Sequence, residues 1–318
     1  MDRRAPAYAQ VAESLREMAL ATRLDIDDPL PPEPKLAELF NVSRGTLRRA
    51  TEELVREGLL VSTSGRGTFV RKHTQIRLLI ADALRRVAVP DSRWGLDVTS
   101  FVPDFAGTAE CHGRVAAMDH YATAQTLFIT PDNSLQGLIV RALADGKRVL
   151  VPTYAMRRGI VLLDPAAVPA EHREFAATLD GLERFGTTLD LPALRTGPKV
   201  DLLVTGAMAL TLSGVHVGSG DAYLDLEWGI LSQLGLVDDS TPIVGIVHPC
   251  QVVEEELPPK PLDITVDVII TTLATITPER RYARPHGISW GALDAARMDS
   301  IAYLRELHPV YSEWNDNA

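Results

Sequence analysis

The sequence lacks the features that mark secreted, membrane-spanning or disulfide-stapled proteins. It contains only two cysteines in 318 residues. Cys111 and Cys250 lie far apart and without metal-ligand spacing, so we interpret both as thiols in a reducing cytoplasm. No apolar run reaches the roughly eighteen residues that a membrane helix needs, and the N-terminus has no apolar core of a signal peptide. These absences predict a cytoplasmic protein with no membrane partner.

The net charge of −10 is unevenly distributed along the chain. Residues 42–72 contain seven Lys and Arg against three Glu, a local charge of +4, whereas residues 76–318 contain 20 basic and 31 acidic residues. Such a concentration of positive charge suits a surface that meets a phosphate backbone. The acidic remainder argues against a second DNA-binding surface, and the chain is long enough for two domains.

The first seventy residues contain three helical patterns and a hairpin. Apolar side chains at helical spacing predict a helix over 7–22, and a proline-rich loop over 25–34 precedes a short apolar face formed by Leu36, Leu39 and Phe40. Ser43 is a predicted N-cap for a third helix, which Gly58 ends. Two β-rich runs, 59–62 and 68–70, predict a hairpin. This order predicts an α+β winged helix-turn-helix domain over residues 1–73.

The third helix and the hairpin tip carry the predicted DNA-binding residues. The motifs Leu30-Pro31-Pro32-Glu33, Val42-Ser43-Arg44, Thr46-Leu47-Arg48-Arg49-Ala50 and Gly65-Arg66-Gly67-Thr68-Phe69-Val70 resemble the GntR family of bacterial repressors. The resemblance implies that double-stranded operator DNA is contacted by Lys35, Ser43, Arg44, Thr46, Arg48, Arg49, Ser64, Gly65 and Arg66. Pro34 stands where the family usually has an arginine, so that contact is lost or passes to Lys35. Regulators of this type usually bind inverted repeats as homodimers. The alternative is that the arginines form a solvated face without a target.

Strand-like and helical runs alternate in the rest of the chain. Strands are predicted at 126–129, 148–152, 201–205, 243–247 and 266–270, and helices at 134–144 and 224–234. This alternation predicts a three-layer α/β domain over residues 74–318, with a mainly parallel sheet covered by helices on both faces. Ligands of such domains bind beyond the carboxyl ends of the strands.

A glycine-rich segment, residues 214–222, precedes the helix at 224–234. Such a segment suits an anion, although tight turns also need glycine. Together with Thr130-Pro131-Asp132-Asn133, Val247-His248 and Arg284-Pro285-His286-Gly287, it resembles the 5-formyltetrahydrofolate cyclo-ligase family, in its branch of methenyltetrahydrofolate synthetase-like proteins. The resemblance implies a nucleotide or folate-like ligand but specifies no cofactor. The ligand-binding residues assigned on this basis are Arg77, Gly214, His216, Gly218, Gly220, Tyr223, Asp225, Glu227, His248 and Gln251.

The segment departs from the family pattern at the positions that hold ATP phosphates in the family. His216 replaces an arginine, Ser219 replaces a second basic residue, and Asp221 and Ala222 replace two glycines. A carboxylate close to a triphosphate repels it, so these changes weaken the case for an ATP-dependent enzyme. Asp225 begins a helix, where an acid is also favoured without any ligand.

Three functions fit these patterns. The chain is a GntR-type regulator whose cyclo-ligase-like domain senses a small effector, an active cyclo-ligase with a DNA-binding domain, or a regulator whose large domain only dimerises. The altered glycine-rich segment disfavours the second, and retention of Tyr223 and Asp225 disfavours the third. The sequence contains no Ser-His-Asp set, metal cluster or redox pair, so we predict no catalytic or metal-ligating residue. We expect the first function.

Overall fold

The computed structural model describes residues 6–21, 29–63, 65–91, 95, 98, 101–218, 223–254, 257, 259, 262–279, 281–293 and 295–308. Two predicted site residues, Ser64 and Gly220, lie outside the described residues, as do the substituted positions Ser219, Asp221 and Ala222. The chain divides into two compact units, Met1–Leu79 and Ile80–Ala318. Among the described helices, none is long and apolar enough to cross a membrane.

Unit 1 has the predicted order of elements. It contains α1 (Ala7–Ala21), α2 (Glu33–Leu39), α3 (Arg44–Arg56), β1 (Leu60–Thr63), β2 (Gly67–Val70) and the start of α4 (Lys72–Leu84). β1 and β2 pair antiparallel, with Thr63 opposite Gly67. The core between α1, α3 and the hairpin is apolar and includes Leu15, Leu47 and Leu60, which are at most 1% exposed. The winged helix-turn-helix prediction is therefore confirmed.

The ends of α3 are set by side-chain and backbone hydrogen bonds. The Ser43 hydroxyl accepts a hydrogen bond of 3.1 Å from the Thr46 amide. After the helix, Gly58 adopts φ +78°, and the Leu59 amide donates to the Leu54 carbonyl at 2.9 Å. Both ends agree with the sequence prediction, so the orientation of the outward face of α3 follows from local signals.

The prediction for α2 needs a correction. The helix begins at Glu33, within the predicted loop, and its buried residues are Leu36 and Ala37. Leu39 was predicted to face inward but is 63% exposed. Successive residues are about 100° apart around a helix, so Leu39 lies about 60° outside the buried arc that runs from Leu36 to Ala37.

Replacing Ser43 by alanine should destabilise the start of α3 by about 1 kcal/mol, because the Thr46 amide loses its acceptor. Hydrogen exchange of the α3 amides measures this local effect. Ser43→Asn should retain most of the protection, since an asparagine side chain also caps helices. Equal protection in the alanine variant would show that the cap contributes no stability.

Unit 2 contains the remaining helices and strands. The helices are α5 (Thr108–Ala116), α6 (Asp119–Thr123), α7 (Gln136–Ala144), α8 (Arg173–Ala176), α9 (Leu179–Phe185), α10 (Leu191–Arg195), α11 (Tyr223–Gln233), α12 (Ala295–Ser300) and α13 (Ala302–Leu307). The strands are β3 (Thr126–Ile129), β4 (Arg148–Pro152), β5 (Ile160–Leu163), β6 (Thr187–Leu189), β7 (Leu202–Gly206), β8 (Ala209–Thr211), β9 (His216–Val217), β10 (Ile243–Ile246), β11 (Val252–Val253), β12 (Val268–Ile270) and β13 (Thr275–Ile276).

The main sheet of unit 2 has a parallel centre and antiparallel edges. Its strand order is β13-β12-β10-β7-β3-β4-β5-β6. The five predicted strands form the parallel centre, whereas β5, β6 and β13 pair antiparallel. A separate three-stranded sheet has the order β11-β8-β9. The edge strands and this second sheet were not predicted.

Buried side chains of the central strands alternate between two apolar layers. Phe128 and Leu203 belong to a layer with residues of α10, α11 and α13. Leu127 and Ile129 belong to the opposite layer, with residues of α5, α7 and α9. The three-layer α/β prediction is therefore confirmed.

The strand order has a switch point between β3 and β7. The chain leaves β3 and forms β4 on one side of it, and later forms β7 on the other side. Because the strands after β3 are added first on one side of it and, from β7 onward, on the other, the ends of β3 and β7 form the switch point at which ligands of open α/β sheets bind. The residues that follow β3 and end β7 are thus the first candidates for a site.

Candidate functional site

Asp132 bridges the two strands at the switch point. It follows β3, and its Oδ2 accepts a hydrogen bond of 3.0 Å from the amide of Gly206, the last residue of β7. The Thr130 hydroxyl donates to the same oxygen. Burial raises the pKa of Asp132 despite these two donors. A β-carbon at Gly206 would lie 2.9 Å from this carboxyl group, so the glycine makes room for the acid.

Glu227 provides a second carboxyl group in the same region. It lies on α11, is 3% exposed, and its Oε2 has no hydrogen-bond partner among the described residues. Burial, followed by the nearby charges of Asp132 and Asp225, raises the pKa of Glu227 to about 8. The carboxyl group is therefore mostly protonated at neutral pH.

His216 is part of the same region. It is 8% exposed, and its Nε2 donates to the Gly206 carbonyl at 2.9 Å. Burial lowers the pKa of His216, so the ring is neutral at pH 7. It therefore brings no positive charge to the end of β7.

Tyr223 and Asp225 stand at the start of α11, and both side chains are partly buried. The Arg297 guanidinium lies over the Tyr223 ring, 4.6 Å from its centroid. Asp225 Oδ1 accepts a hydrogen bond of 3.1 Å from the Ile264 amide. Asp225 lies two residues before Glu227 on α11 and, after burial and the charge of Asp132, contributes to the raised pKa of Glu227.

Gln251 and His248 follow β10 and chiefly position the backbone. Gln251 is fully buried. Its Nε2 donates to the Ala207 carbonyl at 2.6 Å and its Oε1 accepts from the His248 amide at 2.7 Å. His248 Nδ1 accepts from the Cys250 amide, its ring packs edge-on against Phe105, and burial lowers the pKa of the ring. Direct ligand contact by either residue stays a prediction.

The remaining predicted ligand residues that the structure describes are Gly214, Gly218 and Arg77. Gly214 has φ +84°, and a β-carbon there would lie 2.5 Å from the Val266 carbonyl oxygen, so this glycine is required by a close backbone approach. Gly218 directly follows β9. Arg77 lies in unit 1, on α4, whereas the other assigned residues lie in unit 2. Its role in ligand binding also stays a prediction.

Buried cations of unit 2 lie at the other edge of the sheet. Among the described residues, the buried Lys and Arg side chains are Lys147 and Arg284. Lys147 precedes β4 and donates to the Ala124 carbonyl at 2.7 Å. Arg284 pairs with Asp267, which precedes β12, and donates to the Thr241 carbonyl before β10. Acids therefore lie at the carboxyl edge and these cations at the amino edge. The described residues contain no group of three or more His, Cys, Asp or Glu suited to a metal ion.

Unit 1 carries a separate basic face. Arg44 and Arg48 are exposed on the first turns of α3, and Lys35 and Arg66 are exposed on α2 and the hairpin. Arg48 forms an ion pair of 3.3 Å with Glu33. The other predicted DNA-binding residues have local structural roles as well. Ser43 and Thr46 form the N-terminal cap of α3, and Arg49 stacks on Tyr8. Gly65 lies at the hairpin tip with φ +74°.

Two known protein families match different parts of the chain. A model of the 5-formyltetrahydrofolate cyclo-ligase family matches residues 70–272, which is more than half of the chain. The chain belongs to this family. A model described as bacterial regulatory proteins, gntR family, matches residues 7–70. A GntR-type winged helix-turn-helix therefore precedes the cyclo-ligase-family domain in one chain.

Individual relatives match one part of the chain or the other. The human "Methenyltetrahydrofolate synthase domain-containing protein" is 32% identical over 210 residues, which are 65% of this chain and 54% of the human protein. The chain thus spans about half the length of this relative. The "HTH-type transcriptional repressor NagR" of Bacillus subtilis is 48% identical over 67 residues, 21% of this chain and 28% of NagR. The NMR structure of Aquifex aeolicus 5,10-methenyltetrahydrofolate synthetase matches 70% of this chain and 99% of its own, at 16% identity and a TM-score of 0.41.

Asp132 was not among the predicted site residues of this cyclo-ligase-family domain, although its position makes it a candidate. The motif that contains it was part of the resemblance, but no role was assigned to the carboxyl group. Its position directly after a predicted buried strand was the available signal, because loops at the carboxyl ends of parallel strands form the ligand site. That β7 ends beside it was not visible in the sequence.

Proposed function

We propose that the protein is a GntR-type transcription regulator that binds operator DNA through unit 1 and a small effector through its cyclo-ligase-family domain. Effector binding changes operator affinity. The observation that carries this proposal is the set of carboxyl groups near the carboxyl end of β7, where Asp132 accepts from the Gly206 amide and the buried Glu227 has an oxygen without a hydrogen-bond partner among the described residues. An acidic site suits recognition of an effector better than ATP-dependent chemistry.

The electrostatics of the site argue against a triphosphate. A polyphosphate needs positive charge close to its oxygens, whereas Asp132, Glu227 and Asp225 place carboxyl groups there, and none of the three supplies a cation. His216 is buried and its pKa is lowered, so it does not replace the cation that the family pattern has there. The same groups offer hydrogen bonds to a small heterocycle.

The basic face of unit 1 supports DNA binding. Arg44 and Arg48 extend from the first two turns of α3, the part of a recognition helix that meets base edges in the major groove. Arg66 is exposed at the tip of the hairpin, which is the wing of the proposed DNA-binding surface. The GntR-family match and the similarity to a protein named as a repressor support the same function, and two-fold operators favour a homodimer.

The proposal predicts no appreciable ATP-dependent cyclisation of 5-formyltetrahydrofolate, with Mg²⁺ and ATP present. Formation of the methenyl product, followed by absorbance, measures this. A cyclo-ligase assayed alongside serves as the positive control. Robust turnover would contradict the sensor proposal and support the alternative, an active cyclo-ligase with a DNA-binding domain.

The proposal also predicts reciprocal coupling between effector and operator. Operator DNA is first selected from a random-sequence library, and folates, nucleotides and other heterocycles are screened by thermal shift. A ligand that binds should change operator affinity by about 5- to 150-fold, and operator should change ligand affinity by the same factor. A ligand that binds without this effect would contradict regulation by the domain.

Tyr223→Ala should weaken the effector response and leave effector-free DNA binding unchanged, because Tyr223 lies in unit 2. Tyr282→Ala, which changes an exposed tyrosine of the same unit, is the matched control. If both variants respond like the parent, the start of α11 does not contact the effector.

A further inference from the structure

Residues 85–91 follow α4 and are named here the connecting segment. α4 crosses the boundary between the two units, which falls between Leu79 and Ile80. The helix is therefore continuous with unit 1 at one end and with the connecting segment at the other. Leu84, its last residue, is fully buried, and the Leu84 carbonyl accepts a hydrogen bond of 2.8 Å from the Ala88 amide. The connecting segment is thus attached both covalently and by a hydrogen bond to the end of α4.

The connecting segment also pairs with a second part of unit 2. Ala88 and Phe105 form an antiparallel bridge, and the Val89 amide donates to the Asp104 carbonyl at 2.8 Å. Phe105 is 2% exposed, and its ring packs edge-on against His248, which follows β10. Through this pairing the connecting segment is held at the carboxyl edge of the main sheet, beyond β10.

A side-chain hydrogen bond ties the last residue of the connecting segment to the loop after β3. Asn133 Nδ2 donates to Asp91 Oδ2 at 2.7 Å, which is at the short end of the range for such bonds. The connecting segment is therefore held beyond β3 as well as beyond β10. In the sheet, β7 lies between these two strands, so the two attachments flank the switch point.

Asn133 is placed to follow any movement of the neighbouring Asp132. The Leu135 amide donates to the Asp132 carbonyl at 2.9 Å, so both residues belong to one hydrogen-bonded turn before α7. The Asp132 side chain accepts from the Gly206 amide at the end of β7. Gln136 Nε2 donates to Asn133 Oδ1 at 3.4 Å, which leaves Nδ2 oriented towards Asp91. A ligand that shifts the Asp132 loop therefore shifts the donor that holds the connecting segment.

These contacts connect the candidate effector site with the helix that continues into unit 1. We propose that the Asn133–Asp91 hydrogen bond transmits the state of the effector site to the DNA-binding unit, through the connecting segment and α4. This inference names the route of regulation in the proposed function and rests on it. Coupling between distant sites needs an element whose arrangement both sites influence. The connecting segment meets this condition because one end follows α4 and the other is bound to the loop after β3.

Hydrogen exchange of the full chain, with and without operator DNA selected from the random-sequence library, tests this route. Coupling is reciprocal, so operator binding to unit 1 should alter the loop after β3. In the parent, exchange in peptides that cover residues 85–91 and 130–135 should change at least about fivefold, the lower end of typical couplings. In Asn133→Ala the change at 130–135 should be lost. The change at 85–91 should remain, because α4 still joins these residues to unit 1.

Two further variants separate the hydrogen bond from general damage to the fold. Asp91→Asn retains an acceptor for the Asn133 amide and should keep the response at 130–135. Arg86→Ala is the matched control, since it removes an exposed ion pair with Asp82 from the same region, and it should respond like the parent in both peptides. Unchanged exchange at 130–135 in the parent, or an equal change there in the parent and in Asn133→Ala, would overturn the route.

The outcomes separate this inference from the proposed function. If the screen finds a coupled effector but residues 130–135 respond equally in the parent and in Asn133→Ala, the regulator proposal stands and the route is wrong. If the operator alters 130–135 in the parent alone but no ligand alters operator affinity, the route stands and the effector proposal fails. If the library yields no operator, both fail.

Discussion

Glu227→Gln is expected to stabilise unit 2 at pH 8, on the order of 4 kcal/mol relative to its effect at pH 4.5. Burial raises the pKa of Glu227 from 4.5 to about 8. Between these two pH values the folded chain holds a proton that the unfolded chain releases, so the parent loses stability as the pH rises through this window. Glutamine does not titrate and is free of this loss. The difference between variant and parent should therefore grow from pH 4.5 to pH 8.

Urea unfolding followed by tryptophan fluorescence measures this difference in unit 2 alone. Trp94, Trp228, Trp290 and Trp314 account for all four tryptophans of the chain, and all lie within residues 80–318. Glu174→Gln, at an exposed position on α8, is the control and should follow the parent at every pH. A parallel pH dependence of Glu227→Gln and parent would show that Glu227 titrates normally. A stabilised variant with weaker effector binding would identify a site that is maintained at a cost in stability.

Arg44→Ala and Arg48→Ala are each expected to weaken binding to the selected operator by about 1–3 kcal/mol. Both side chains extend from the first turns of α3, and each substitution removes either a bidentate base contact or a phosphate contact. Arg48 must leave its ion pair with Glu33 to reach DNA, so Glu33→Gln should increase affinity slightly. Fluorescence anisotropy with labelled operator, over a range of salt concentrations, provides the measurement.

Arg56→Ala is the matched control because Arg56 is an exposed arginine at the other end of the same helix. It should lose less affinity than either N-terminal variant, and binding of all variants should fall steeply with salt. If Arg44→Ala and Arg48→Ala both bind like the parent, α3 is not the recognition helix. If all three lose the same small amount on any DNA sequence, the face binds DNA without reading bases.

Local patterns predicted much of the fold because each element carries its own signals. The Ser43 cap, the Gly58 end and the hairpin around Gly65 depend on neighbouring residues, and they are found as predicted. The five central strands of unit 2 were predicted from short apolar runs, and the structure contains all five. The edge strands β6 and β13 were missed because three-residue and two-residue strands carry no usable periodicity.

The candidate site depended on contacts that sequence proximity does not reveal. The motif around Asp132 and the helix of Glu227 were visible in the sequence. The electrostatic interaction of the two acids was not, because it depends on the order of strands β3 and β7, which places Asp132 against Gly206. The charge of His216 was also decided by the fold, since burial and a carbonyl partner make the ring neutral.

The sequence by itself determined the winged helix-turn-helix, the α/β layers and the family, since caps, periodicity and motifs are local properties. Tertiary structure decided which acids lie near the switch point and that Glu227 Oε2 has no hydrogen-bond partner among the described residues. Desolvation and hydrogen bonding there depend on residues about a hundred positions apart, such as Asp132 and Glu227. Such effects arise only when strands from distant parts of the chain are placed side by side.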